Sequence, residues 1–339
     1  MWNVDVRRFA WAQIILLALF VTAATAFAQP GPRGYVDMVY VPQVEKVLMF
    51  GGQLDYLAPY RAVGGTWWYD PAQDAWSEVT SEPQPGPRGA AHLAVHDPTG
   101  TVVMFGGGVP VEGGFQPFSE TWLFDPVEER WSQLSFEEGA TPQAEIGEMF
   151  AYHAAADLFV LHGGFTLDGM RFLNDTWHFD LGERTWMKVE PATSPPGMNY
   201  KAFAYDPRTE QLVLSGGVVE EVDDTWTYDP RDPDWQHHEK LPERRWVDYV
   251  RMVYDPNLET LIRFGGTNED EGVVWSVSED LEWSLLDIEG ASPPQVNRHA
   301  MTAVPGLGVL VYGGVYRGQP DFTSDMWVID TVEGRWEKR

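Results

Sequence analysis

The sequence predicts an all-β fold, a six-bladed β-propeller with four antiparallel strands per blade. Three observations carry this expectation. Six Gly-Gly pairs each close an apolar run. The pairs recur at roughly fifty-residue spacing, a period that marks radially repeated units. Twelve of the 16 Trp then fall at fixed places within that repeat, which a disordered chain would not arrange.

Each element of the unit has a signature. The second strand ends on Gly-Gly, as in Val47-Leu48-Met49-Phe50-Gly51-Gly52 and Val102-Val103-Met104-Phe105-Gly106-Gly107. The other pairs are Gly163-Gly164, Gly216-Gly217, Gly265-Gly266 and Gly313-Gly314. A Trp marks the third strand: Trp67, Trp122, Trp177, Trp226, Trp275 and Trp327, the first four preceded by Thr. A second Trp marks the fourth strand nine residues on, at Trp76, Trp131, Trp186, Trp235 and Trp336; in the fifth unit Trp283 comes one residue earlier. Asp-Pro dipeptides such as Asp70-Pro71, Asp97-Pro98 and Asp206-Pro207 start the turns between strands. Four short strands joined by hairpins form one blade. The blades are expected near residues 34–80, 88–135, 147–190, 198–241, 246–287 and 298–339 of a single domain, 29–339. Each blade reads as complete in sequence order, so the first and last are expected to meet by packing alone.

The Gly-Gly pairs, paired Trp and Asp-Pro turns resemble those of the kelch-repeat family, across essentially the whole chain after residue 28. The family includes the galactose-oxidase-like central domains and exported bacterial proteins. Arginines near the start of the first strand belong to the resemblance: Arg33, Arg88, Arg245 and Arg298. Blade three has Ala144-Glu145-Ile146 there, and blade four Gly197-Met198-Asn199-Tyr200.

The N-terminus reads as a secretory leader. Arg7 and Arg8 precede an apolar run from Ala10 to Thr25, and Ala26-Phe27-Ala28 supplies small residues for cleavage after Ala28. Export to the periplasm or the exterior follows as an expectation, with no stable membrane insertion after cleavage and a monomeric product. The chain has no Cys, which excludes disulfides, lipid anchoring and thiolate chemistry. A formal net charge of −28 makes nucleic acid a poor partner. It suits a solvated acidic surface, a cationic partner or bound Ca²⁺.

The resemblance implies a ligand face built from the d–a connections and the b–c loops, with strands lettered a to d along each blade. The loops after Gly52, Gly107, Gly164 and Gly314 are long and those after Gly217 and Gly266 short, so a wall is expected over blades six, one, two and three. Candidate binding residues are Tyr56, Tyr60, Phe115, Phe118, Phe172 and Tyr316 on the loops, with Arg33, Arg88, Arg245 and Arg298 at the cleft floor. Aromatic rings with polar neighbours suit sugar faces or peptide side chains; the competing reading is that they anchor their own loops. The arginines suit a carboxylate, or else bond the carbonyls of the d–a connections.

No catalytic motif stands out: there is no His-Glu-x-x-His, nucleophile elbow or phosphate loop. His92, His96 and the His237-His238 pair have no further identifiable ligands, so neither a metal nor a cofactor is expected. Galactose oxidase chemistry needs a Tyr–Cys crosslink and is excluded. The expected function is a binding module for a protein or glycan. The alternatives are a carbohydrate-active enzyme resembling periplasmic sialic-acid epimerases and a Ca²⁺-dependent adhesin-like protein.

Overall fold

A computed structural model describes residues 29–339 apart from 58–59, 113, 144, 167–170, 217–223, 239–246 and 268–269. The leader (1–28), Arg245 and most of the short acidic b–c loops lie outside the described residues.

Every regular element among the described residues is a strand; six blades of four hold most of them, and short extra strands pair beside blades two, three and six. Blade one is Asp37–Val41, Lys46–Phe50, Thr66–Asp70 and Ala75–Val79, paired antiparallel in that order. Blade two runs from Gly89–Val95 to Arg130–Gln133, blade three from Met149–His153 to Thr185–Val189 and blade four from Ala202–Asp206 to Asp232–His238. Blade five runs from Arg251–Asp255 to Trp283–Leu286 and blade six from Ala300–Val304 to Arg335–Lys338. The six-bladed expectation is met.

The apolar core is divided into six clusters, each lying between two successive blades. The two Trp of each repeat help to fill these spaces. Trp67 and Trp76, for example, pack with Leu310, Tyr312 and Val328 of blade six. The turn aspartates act as the sequence implies: Asp70 Oδ1 accepts the Ala72 and Gln73 amides at 3.0 and 3.1 Å.

The Gly-Gly pairs sit where the next blade's d–a connection crosses. A Cβ on Gly51 would lie 2.6 Å from the Arg88 carbonyl oxygen, and φ there is +68°, which disfavours any side chain. The second glycine's amide donates to the crossing residue, as in Gly52 N to Arg88 O at 2.8 Å and Gly164 N to Met198 O at 2.8 Å.

Ring closure corrects the sequence expectation. Blades six and one do pack, but they are also hydrogen-bonded. Gly314 N donates to Arg33 O at 2.9 Å, Arg33 N to Thr323 O at 3.2 Å, and the Tyr312 hydroxyl to Pro30 O. The segment before strand a therefore closes the ring by the same backbone contact that joins interior blades.

Candidate functional site

Strand a of every blade lines the central axis, and one residue at its start, two before the strand in five blades and the second residue of Gly89–Val95 in blade two, turns the chain. In all six blades that residue has positive φ: Tyr35, Ala90, Gly147, Tyr200, Tyr249 and Arg298. Backbone bonds link neighbours around the axis, from Ala90 N to Tyr35 O, Tyr200 N to Gly147 O, Tyr249 N to Tyr200 O and Tyr35 N to Arg298 O, at 2.7 to 2.9 Å. The channel mouth is thus a ring of six side-chain positions, three of them tyrosine.

The tyrosines close the mouth. Ring centroids of Tyr200 and Tyr249 lie 4.5 Å apart, and those of Tyr35 lie 5.9 and 5.8 Å from them. Gly147 leaves room for this, since a Cβ there would meet the Tyr200 ring at 2.7 Å. The Arg298 guanidinium stacks on the cluster, 3.8 Å from the Tyr249 centroid, 5.0 Å from Tyr56 and 5.2 Å from Tyr35, and its Nε donates to the Tyr35 hydroxyl at 2.6 Å. Burial raises the Tyr200 and Tyr249 phenols well above their ordinary value, so both stay neutral donors.

Above this layer, on the b–c loop face, lies a cleft of about 460 Å³. Its wall comes from three blades. Blade one gives Tyr56 and Tyr60, on a loop pinned by paired bonds from Arg61 to Asp55 at 2.7 and 2.9 Å. Blade two gives Pro110 and Phe115, opposite each other in a hairpin formed where Val102–Val111 runs on past its Gly-Gly pair to meet Gly114–Pro117. Blade three gives Phe165 and Phe172, a cross-strand pair with centroids 5.0 Å apart. Asn199, Tyr200, Asp248 and Tyr249 form the low side. Tyr60 and Phe172 are 46% and 44% exposed, so their rings are available to a ligand rather than spent as loop anchors.

The structure brings some of the sequence candidates together and separates others. Tyr56, Tyr60, Phe115 and Phe172 line the cleft. Phe118 does not; its ring lies 4.5 Å from the Arg88 guanidinium. Tyr316 is held in its own blade, donating to Asp325 at 2.8 Å and accepting from Trp327 Nε1 at 3.0 Å. Blade six is not part of the wall, because its Phe322 folds down against Gly34, Tyr35 and Tyr56.

The three described arginines, Arg33, Arg88 and Arg298, are not among the residues lining the cleft. Arg33 and Arg88 are buried between blades. Arg33 Nη1 donates to Gly51 O at 3.0 Å; Arg88 Nη1 donates to Gly106 O at 3.3 Å, and its Nη2 to Glu120 at 2.7 Å. Arg298 is a different position altogether. It aligns with Tyr35 and Ala90, two residues after the inter-blade arginines, and so reaches the axis.

Blade three departs again. Glu145 stands where Arg33 and Arg88 stand, and burial, with repulsion from Glu148 and Asp175, raises its carboxyl to about 8. Of the histidines, His96 bonds Thr99 and Asp157, and His237 bonds Asp224. Among the described residues no group of three or more His, Asp or Glu is placed to hold a metal.

A family model described as the KLHDC2/KLHL20/DRC7 kelch-repeats domain matches residues 36–247, more than half of the chain. The chain belongs to the kelch-repeat family. The match spans blades one to four of this kelch propeller, and blades five and six repeat the same four-strand order beyond it.

Sequence reasoning missed the tyrosine layer. The available signal was a tyrosine two residues before strand a, in Tyr35-Val36, Tyr200-Lys201-Ala202-Phe203 and Tyr249-Val250.

Proposed function

We propose that this kelch propeller is a protein-binding module whose loop-face cleft receives an apolar or aromatic-bearing segment of a partner. One observation carries the reading: two half-exposed rings, Tyr60 and Phe172, face a preformed cleft of about 460 Å³ whose other walls are also aromatic. Rings held on a pinned loop and on a hairpin lose little conformational freedom on binding. Gln53, Asn199 and Asp248 supply polar atoms beside the rings and set the orientation of the bound segment.

Asp248 sharpens the expectation. It is the one acid lining the cleft among the described residues, and it also accepts from Lys201 Nζ at 2.6 Å. The three described arginines of the sequence reading are held in seams or below the tyrosines. The cleft therefore favours a neutral or cationic segment over an acidic one, consistent with the net charge of −28.

The test is selection of a displayed random-peptide library on the protein, run beside a glycan array. Enrichment of peptides with aromatic or branched apolar residues, displaced by no glycan, is the expected result. Glycan binding without peptide enrichment overturns the protein reading in favour of a carbohydrate one.

Export is part of the same proposal. Residues 1–28 have the order of a secretory leader, basic then apolar then small. Mass spectrometry of protein recovered outside the cytoplasm is expected to find Gln29 at the N-terminus. Recovery of a chain that still contains Trp11 contradicts it.

A further inference from the structure

Beneath the tyrosine layer lies a second cavity, on the axis and separate from the loop-face cleft. Its volume is about 240 Å³, far beyond the roughly 10–15 Å³ that one water requires. Residues of strand a and of its entry line it, among them Asp37, His92, Glu148, Lys201 and Arg251. We propose that this chamber binds a small zwitterion, an ammonium and a carboxylate on one molecule the size of a free α-amino acid.

Glu148 carries the argument. Its side chain is 1% exposed, it is among the residues that line the cavity, and neither carboxylate oxygen has a hydrogen-bond partner. His92 Nε2 stands 3.5 Å from one of them, itself without a hydrogen-bond partner. A buried carboxylate left in this state is costly unless donors reach it. An ammonium has three donors and no acceptor, so one such group satisfies both oxygens.

The other acid lining the chamber, Asp37, is already served. Asp37 accepts the amides of Met38 and Leu93, both at 3.1 Å. Two of the cations are served as well. Lys201 Nζ donates to Val247 O at 2.8 Å and to Asp248, and Arg298 is held by the tyrosines and Asn297. Arg251 is less committed. Its Nε makes a long bond of 3.3 Å to His299 O, and its Nη1 stands 3.8 Å from Asp37, while its side chain keeps 28% of its exposure. A guanidinium so placed matches a carboxylate in paired geometry.

Entry is from the end away from the loops. The tyrosine layer closes the loop face, whereas Tyr205 and Tyr254, which line the chamber lower down, are half-buried. Ligands of the cleft and of the chamber are therefore expected to bind independently.

The common free α-amino acids are screened by thermal shift at about 10 mM, since a ligand bound to the folded state raises the melting temperature. Each hit is then titrated calorimetrically beside its decarboxylated amine and its deaminated acid. At least one amino acid is expected to bind, with both half-ligands at least about tenfold weaker. Glu148→Gln and Arg251→Gln are each expected to weaken the amino acid by at least about tenfold. The proposal is overturned if no amino acid raises the melting temperature, if the amine alone binds as tightly as its parent, or if Glu148→Gln keeps full affinity. The half-ligand comparison uses the unaltered protein, so it decides the matter even if a variant fails to fold. Failure here leaves the peptide test of the loop-face cleft untouched, because the two cavities are read out separately.

Discussion

Trp131 Nε1 of blade two donates to Thr66 Oγ1 of blade one at 2.8 Å, and both side chains are buried. The pair recurs as Trp186 with Thr121, Trp235 with Thr176 and Trp283 with Thr225, at 3.0 to 3.1 Å. The Thr-Trp dipeptides of the sequence thus have an inter-blade purpose: the Thr caps the Trp of the following blade. Val274 and Met326 occupy the Thr position in blades five and six, so both contacts of blade six lack the bond.

Thr66→Val keeps the shape and removes the acceptor. It leaves the Trp131 N–H buried and unsatisfied, and is expected to cost about 1–3 kcal/mol in chemical denaturation. Met326→Leu, at a position with no such bond, is expected to stay within about 1.5 kcal/mol. Equal effects from the two would contradict the role given to Thr66.

Gly163→Ala is expected to cost about 2–4 kcal/mol. Its φ is +69°, and the added carbon would lie 2.6 Å from the Met198 carbonyl oxygen of blade four. Gly114→Ala, which meets nothing within 4 Å, is expected to stay within about 0.5 kcal/mol. Thermal melts of the two variants make the comparison.

Arg88→Ala is expected to lower stability by about 2–4 kcal/mol and leave cleft affinity unchanged, as urea denaturation and peptide titration read it. The guanidinium is buried and bonded to Gly86 O, Gly106 O and Glu120.

That arginine also marks how far the sequence can be read. Blade number and strand order were legible because Gly-Gly, Trp and Asp-Pro each answer to a local requirement that repeats six times. The register of strand a was harder, because the residues around it vary. Arg298 looked like another Arg33 or Arg88, yet it stands two residues further on. At a turn through positive φ, that offset separates a side chain between blades from one on the axis. Loop direction was equally hidden. Tyr56 and Phe172 line the cleft whereas Phe118 and Tyr316 have partners within the scaffold, and only three-dimensional contact distinguishes the two fates.

Glu145 gives a pH signature. Its folded-state pKa is raised to about 8 by burial and by Glu148 and Asp175, against the opposing pull of Arg171 and Lys188. Protonated Glu145 therefore favours the folded state. The contribution is complete below the ordinary carboxyl range and is lost as pH rises from about 4.5 to about 8. Glu145→Gln is expected to match the parent near pH 4.5 and to exceed it by about 1–2 kcal/mol at pH 8, once solvent screening is allowed for. Denaturation curves that stay parallel across that range would place Glu145 in water.

The most direct measurement of the binding account is a calorimetric titration of one library-selected peptide against five proteins. These are the parent, Tyr60→Ala, Phe172→Ala, and the c–d turn variants Glu128→Ala and Glu183→Ala. Each ring removal is expected to weaken binding by at least about tenfold, the loss of a well-packed aromatic contact, with melting temperatures close to the parent. The turn variants, at the outer edge of the blades, are expected to bind like the parent. Loss of affinity in the turn variants with full affinity in Tyr60→Ala and Phe172→Ala would contradict the account and move the binding surface to the rim of the propeller.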